Sequence, residues 1–359
     1  MMKKTDVVLD HKTILVTGSP GFIGASLVIR LLKELKGSRI ISFDSMNDYY
    51  DPSLKEYRLS QIEKTAEYSE SEHIFVKGNI ADRELVNSVF EKYQPDIVVH
   101  LAAQAGVRYS IEHPEAYIES NIIGFFNMLE AIRNHPAEHF VYASSSSVYG
   151  GNTKIPFSTD DFTDHPVSLY AATKKSDELL AYSYSKLYDI PATGLRFFTV
   201  YGPAGRPDMF YYSATEKLVS GGSIKIFNYG NCKRDFTYID DIVEGIVRVM
   251  KNAPCRQTGE DGLPLAPHMV YNIGGGTPEN LLEFIDILQQ ELINAGILPA
   301  DYDFEAHREL VGMQAGDVPV TYADSSAFER DFGFTPSVRI EEGLRRFAQW
   351  YSQYRKQEQ

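Results

Sequence analysis

The chain has 359 residues, with 35 Lys plus Arg against 49 Asp plus Glu, a net charge of −14, and 43% hydrophobic residues. That balance describes a globular protein with enough apolar side chain for a sizeable core, and it excludes a general binder of nucleic acid or of an anionic membrane, which needs a basic face. A small anionic ligand held by a few local arginines stays open. The length predicts one large α/β unit or two fused domains. The two cysteines, Cys232 and Cys255, form no CxxC pair or ligand cluster. The expectation is therefore no disulfide framework, no metal site and a reducing, cytoplasmic compartment. The opening residues carry no apolar stretch of signal-peptide length, and no run of about 18 apolar residues predicts a membrane span.

In chain order, TILVTG (13–18) reads as a buried strand and 22–35 as a helix. RIISFD (39–44) and HIFVKGN (73–79) read as strands, with a helical insertion inside the polar segment 45–72. Residues 82–93 are helical, DIVVHLAA (96–103) is a fourth strand, and 115–134 is a long helix. HFVYASSS (139–146), a helix over 168–188 and PATGLRFF (191–198) complete the alternation. Strands alternating with helices of this length predict a doubly wound parallel sheet of Rossmann type, covered on both faces. Beyond Tyr201 the pattern becomes irregular: a turn-rich loop GPAGRPD, a helix over 240–252, a flexible stretch over 257–267, and a helix over 278–295. The expected organisation is a nucleotide-binding unit over 1–199, with 236–276 partly returning to it. A smaller, mostly C-terminal α/β lobe for substrate is expected over 200–235 and 277–359.

TGSPGFIG places Gly18, Gly21 and Gly24 between the first strand and the first helix. Such a loop makes a tight turn, lets backbone approach a pyrophosphate, and aims a helix N-terminus at it. Asp44 closes the second strand ~20 residues further on, where a carboxylate accepts both ribose hydroxyls of NAD and repels a 2′-phosphate. Ser45 and Met46 offer no arginine for that phosphate, so NAD is expected rather than NADP. Tyr170 and Lys174 stand one helical turn apart in YAATK, on one face. An ammonium beside a phenol favours the phenolate and makes a tyrosine usable as a base. The run Ser144 to Ser147 ends a strand, where ligands bind in such sheets, and one or two of these hydroxyls are expected simply to exit the strand.

Taken together, TGSPGFIG, LAAQAGVR, SSSSVYGG, YAATK, RFFTVYGP and RDFTYIDDI resemble, in order and over nearly the whole chain, the extended short-chain dehydrogenase/reductase family of nucleotide-sugar epimerases and dehydratases. FDSMNDYYDPSLK, HPVSLYAATKK, TVYGPAGRPDM and MQAGDVPVTYAD are most similar to its UDP-glucuronate 4-epimerase subgroup. The resemblance implies Tyr170 as base, Lys174 as its charge partner and ribose ligand, and either Ser145 or Ser147 as holder of the reacting hydroxyl. For NAD it implies Gly18, Gly21, Phe22, Ile23, Gly24 and Asp44 at the pyrophosphate and ribose. It further implies Asn79 and Ile80 at the adenine, Leu101, Ala102 and Ala103 along the groove, and Phe197 near the nicotinamide. Asn79 stands where the family commonly has Asp.

For a UDP-sugar the resemblance implies Asn121 beside the sugar, Phe227 near the uracil, Arg234 at the diphosphate, and Gln314 and Asp317 at the uridine ribose. Thr199 and Arg206, with Arg108 as a weaker alternative, are implied at a sugar carboxylate. Dehydratases and decarboxylases of this family tend to carry an acid at the position of Ser147. Its absence favours C4′ oxidation by NAD, rotation of the 4-keto sugar and re-reduction, converting UDP-glucuronate to UDP-galacturonate. A neutral-hexose 4-epimerase, a UDP-glucuronate decarboxylase and a non-catalytic NAD-sensing scaffold remain as alternatives. Relatives pair the two long helices of residues 115–134 and 168–188 across a two-fold axis, which implies a homodimer through a four-helix bundle.

Overall fold

A computed structural model describes residues 3–313 and 318–358. Its centre is a seven-stranded, all-parallel sheet. The strands are β1 (Thr13–Thr17), β2 (Arg39–Asp44), β3 (Glu72–Lys77), β4 (Ile97–His100), β5 (His139–Ser145), β6 (Ala192–Phe197) and β7 (His268–Ile273), in the spatial order β7-β6-β5-β4-β1-β2-β3. The order reverses between β1 and β4, which opens a crevice at their carboxyl ends. Side chains alternate through the strands as a period of two requires. Ile14 and Val16 enter the core on one face, with Val99, Val141 and Leu195. Leu15 enters the other, with Val98, Phe140 and Tyr142.

The first face is covered by helix α1 (Phe22–Glu34), which buries Leu27, Val28, Leu31 and Leu32. Beside it packs α2 (Ser53–Ala66), the helix expected inside the polar 45–72 segment. The second face is covered by α3 (Arg83–Tyr93), α4 (Phe125–Asn134) and α5 (Leu169–Tyr188). The Asp82 side chain caps α3 by accepting from the Leu85 amide, and Ser168 caps α5 by accepting from Ala171. Each cap satisfies an amide that the first helical turn leaves unpaired.

Four local readings change. The helix expected over 115–134 has a π-helical stretch, Ile118–Gly124, between α-helical Pro114–Tyr117 and α4. Wider turns of this kind occur often at functional sites, and this one contains Asn121. Pro278–Asn280 is not helical; it pairs antiparallel with Lys233–Asp235, and the helix starts at Leu281 under an Asn280 cap. The stretch expected to be flexible carries a small antiparallel pair, Gln257–Thr258 with Pro264–Leu265. The chain leaves the large sheet after Phe197 and at once enters a second one, where Thr199–Tyr201 runs parallel to Phe236–Tyr238. Phe236 stacks on Phe284 with centroids 4.0 Å apart, joining this smaller sheet to helix Leu281–Asn294. Helix Ile239–Met250 packs back against α1, and β7 closes the large sheet beside β6.

Among the described residues, no helix is long and apolar enough to cross a membrane, and no group of three His, Cys, Asp or Glu side chains could hold a metal ion.

Candidate active site

The crevice at the carboxyl ends of β1 and β4 contains the glycine loop. Gly18 has φ of +71°, and a Cβ there would stand 2.7 Å from the Ala102 nitrogen. A Cβ at Gly24 would stand 2.2 Å from the Gly18 carbonyl oxygen, so the first turn of α1 closes on the loop only without a side chain. Gly21 precedes α1 and gives it no side-chain cap. The Ser19 hydroxyl is buried with no partner among the described residues. A cradle too tight for a Cβ, an uncapped helix N-terminus and an orphaned hydroxyl fit a pyrophosphate. Phe22 and Ile23 carry the loop into the helix. Leu101, Ala102 and Ala103 run past it: the Ala102 amide donates to Thr17 Oγ1 at 3.2 Å, and Thr17 Oγ1 bonds His100 Nδ1 at 2.8 Å.

Asp44 ends β2 and accepts from the Met46 amide at 2.7 Å. Burial pushes its carboxyl upward against that amide and the charges of Lys55 and Arg58. Both cations escaped the sequence reading. Lys55 is held by Asn47, at 2.7 Å to its carbonyl. Arg58 is 2% exposed and donates to the carbonyls of Pro20, Ala204 and Gly205 and to the Tyr50 hydroxyl. It thereby ties the glycine loop to the GPAGRPD loop. At the far end of the groove Ile80 is buried under Gly124. Asn79 is exposed and donates to Glu119 at 2.8 Å.

Tyr170 lies in the first turn of α5, its ring edge-on to that of Tyr117 at 5.9 Å. One turn on, Lys174 Nζ donates to the Ala143 carbonyl at 3.0 Å and to Asp177 Oδ2 at 3.2 Å. Ser145, at the end of β5, accepts from the Ser147 amide and donates to Ser147 Oγ, both at 3.1 Å. The two candidate hydroxyls therefore form one pair on the turn Ser146–Tyr149, which packs against α5. Ser144 turns away: its hydroxyl donates to Glu178 at 2.6 Å. Glu178 grips Arg196 with two hydrogen bonds of 2.8 Å. Burial pushes the Glu178 carboxyl up, but Arg196 more than offsets this and leaves it below the usual range. Arg196 also donates to the Tyr149 hydroxyl, so a buried network pins the turn that carries the serines. A glutamate one turn beyond the lysine and an arginine inside the apolar strand GLRFF were the available signals for this pair. His100 is pushed down to about 3 by burial and then by the charge of Lys174, so it stays neutral.

Asn121 is 1% exposed, and its amide is fully engaged: it accepts from the Gln104 amide and donates to the Gln104 carbonyl and to Thr173 Oγ1. It braces the segment after β4 against α5. Phe197, 8% exposed, closes β6 opposite Ser145. Thr199 opens the second sheet opposite Phe236. Arg206 meets Asp208 through Nε at 3.0 Å and Nη2 at 2.5 Å, and the Tyr49 hydroxyl donates to the same carboxylate at 3.2 Å. The Asp208 carboxylate raises Arg206 against its burial. A Cβ at Gly106 would stand 3.9 Å from Arg206 Nη2 and 3.7 Å from the Tyr117 hydroxyl, and the Tyr117 ring meets that of Tyr170 edge-on. Arg108 lies over the Phe227 ring at 5.0 Å. Arg234 donates to the carbonyls of Lys233 and Pro319, both at 3.1 Å. Gln314 and Asp317 lie outside the described residues.

The profile of the NAD-dependent epimerase/dehydratase family matches residues 14–274. A Staphylococcus aureus protein named CapI is 48% identical over 349 residues, covering 96% of this chain and 99% of that one. A probable UDP-glucuronate 4-epimerase of Rhizobium meliloti is 42% identical, covering 94% and 96%. The crystal structure of a Bacillus cereus UDP-glucuronic acid 4-epimerase, in complex with UDP-glucuronic acid and NAD, superposes with a TM-score of 0.81 at 29% identity. That match covers 95% of this chain and 99% of that one.

Proposed function

As the chain belongs to the NAD-dependent epimerase/dehydratase family, we propose that it interconverts UDP-glucuronate and UDP-galacturonate at C4′. The observation that carries this reading is the position of the Arg206 guanidinium on the TVYGPAGRPDM loop, near Gly106 and the Tyr117 hydroxyl, with the Tyr117 ring edge-on to that of Tyr170. A cation on the Tyr117 side of the base suits a sugar whose C5′ substituent is a carboxylate. Asp208 takes up Nε and one N–H of Nη2, and a guanidinium carries five N–H donors, so the ion pair does not exhaust it.

NAD, the cofactor of this family, supplies hydride acceptance and return at C4′ when bound. Gly18, Gly21 and Gly24 hold its pyrophosphate and Asp44 its ribose. Tyr170 takes the proton of the 4′-hydroxyl and returns it after the sugar has turned, with the Lys174 charge supporting the phenolate. The Ser145–Ser147 pair positions that oxygen. Thr199 and Arg206 hold the carboxylate out of alignment with the 4-ketone, so that the β-keto acid keeps its carbon dioxide. Ser147 supplies no carboxyl for elimination chemistry. Phe227, Arg108 and Arg234 line the UDP side.

One observation favours a second reading. Asp208 already neutralises Arg206, and a neutral hexose would leave that pair undisturbed. Incubation with UDP-glucuronate, UDP-glucose and UDP-xylose in separate tubes, without added cofactor and with products resolved by NMR, decides between them. UDP-galacturonate from the first tube supports the uronate reading. UDP-galactose from the second, with the first unchanged, replaces it by the hexose reading.

The assembly belongs to the same proposal. Ile118, Ile123 and Phe126 on one helical run and Leu179, Tyr182 and Leu187 on α5 are exposed. Apolar side chains of that size on two adjacent helices fit the face of a two-fold four-helix bundle with a second copy.

A further inference from the structure

We propose that Asp177 is a positioning residue for the reaction: from a fully buried place one turn beyond Lys174, it orients the lysine ammonium and governs how much of that charge reaches Tyr170. The proposal rests on the function proposed above, because it assigns Tyr170 the proton transfer.

The geometry is specific. The Asp177 side chain is 0% exposed and that of Lys174 is 3% exposed, and their atoms meet at 3.2 Å. The other Asp177 oxygen, Oδ1, is buried with no partner among the described residues. A buried carboxylate with half its acceptor capacity empty is costly to keep ionised, and buried orphans of this kind call for an explanation. Among the described residues Lys174 has one other acceptor, the Ala143 carbonyl, which is uncharged. Asp177 is thus the charged group that directly opposes the lysine.

The surroundings do not supply a substitute. From its own helix Asp177 faces Lys174 and Glu178, and Glu178 is neutralised by Arg196 of β6 and flanked by Lys175. From the sheet it faces the Tyr142 phenol, which burial and then these carboxylates keep protonated. His100 of β4 lies near Lys174 and is neutral, and His268 of β7 lies near Glu178 and is held down to about 4 by burial. Burial raises the Asp177 carboxyl to about 7, with Lys174 opposing the shift.

The consequence is a charge that varies in the range where the enzyme works. With Asp177 protonated, the Lys174 charge acts on Tyr170 undiminished. With Asp177 ionised, the pair is neutral and the phenolate loses support. Tyr170 and Asp177 are seven residues apart on one helix, about 10 Å. A unit charge at that distance changes a proton equilibrium by roughly 0.3 to 1 unit for an effective dielectric between those of water and protein. Asp177 therefore flattens the rise of activity with pH across neutrality.

The test compares kcat/KM for UDP-glucuronate from about pH 6 to pH 8 in the wild type and in Asp177→Asn, which keeps the shape and an acceptor for Lys174. The ratio of variant to wild type is expected near one at the acid end and roughly two- to tenfold at the alkaline end. Asp177→Ala, which loses the acceptor, should show the same rise in ratio on a lower curve. Infrared difference titration of wild type against Asp177→Asn should show one carboxyl changing protonation near neutrality, with no substrate present. A ratio that is constant or falls with pH, in whichever variant folds, overturns the proposal and leaves Asp177 a structural ion pair. A wild type inactive on UDP-glucuronate refutes the function instead. The ratio is then read with the sugar that is turned over, and the infrared signal is unaffected.

Discussion

If Arg206 holds the sugar carboxylate as proposed, replacing it by alanine should separate recognition of that group from recognition of the nucleotide. Arg206 stands on the loop after Thr199–Tyr201, and its side chain is 25% exposed in the ion pair with Asp208. It is therefore screened only in part. A lost charge-assisted hydrogen bond costs about 1.5–3 kcal/mol, or roughly one to two decades in kcat/KM for UDP-glucuronate. The substitution also frees Asp208, which would then repel the uronate, so the upper end of that range is expected. In the proposed reading Phe227 and Arg234 meet the uracil and the diphosphate, so the inhibition constant of UDP should move less than about twofold, within 0.5 kcal/mol. Steady-state kinetics with UDP-glucuronate, with UDP as competitive inhibitor, give both numbers, and NMR of the products gives a third. A carboxylate no longer held can align with the 4-ketone, so a UDP-pentose should appear in the variant. Arg206→Lys keeps the charge but not the planar fork and should fall between the two. Equal losses for UDP and UDP-glucuronate, with no pentose, would refute the assignment of Arg206 to the carboxylate.

Tyr170→Phe should lower turnover by ~10²–10⁴ while the protein still carries NAD, measured by releasing the nucleotide with acid; residual activity above a tenth of wild type would remove Tyr170 from proton transfer. The nucleotide released from wild type should be NAD, and a preponderance of NADP(H) would sink the role given to Asp44. In thermal melts the gain from Asp177→Asn should grow with pH. The folded-state carboxyl sits at about 7, above the ordinary carboxylate range, so wild-type folding stability declines as pH rises from about 4 to 7, and the neutral variant escapes that decline. A gain independent of pH would contradict the assignment. Light scattering should show a dimer, and Leu179→Arg, which buries charge at the proposed interface, should yield monomer; an unchanged mass would move the interface elsewhere.

The parts of the fold governed by local pattern were legible in the sequence. Residues 13–18 and 39–44 are short β-branched runs with a glycine loop between them, and helix caps such as Asp82 and Ser168 mark their helices directly. The seventh strand was not legible, because MVYNI follows a polar hairpin and pairs with β6 from 76 residues away, His268 with Ala192. Pro278–Asn280 was misread because it continues smoothly into a helix, and only its pairing with Lys233–Asp235 makes it a strand. In the site, residues of fixed spacing such as Gly18, Gly24, Tyr170 and Lys174 could be named. Residues that matter through tertiary contact could not: Arg58 is an ordinary helix arginine until its carbonyl partners are seen. Asp177 has no signature beyond following Lys174, and Asp208 reads as a turn aspartate until it meets Arg206.

The most direct measurement uses UDP-glucuronate carrying deuterium at C4′, incubated with the purified protein in ordinary water without added cofactor. If Tyr170 moves only the hydroxyl proton while the C4′ hydrogen leaves and returns within the site, NMR should show UDP-galacturonate with the deuterium still at C4′. Loss of the label to solvent, or a pentose in place of the hexuronate, would contradict the account.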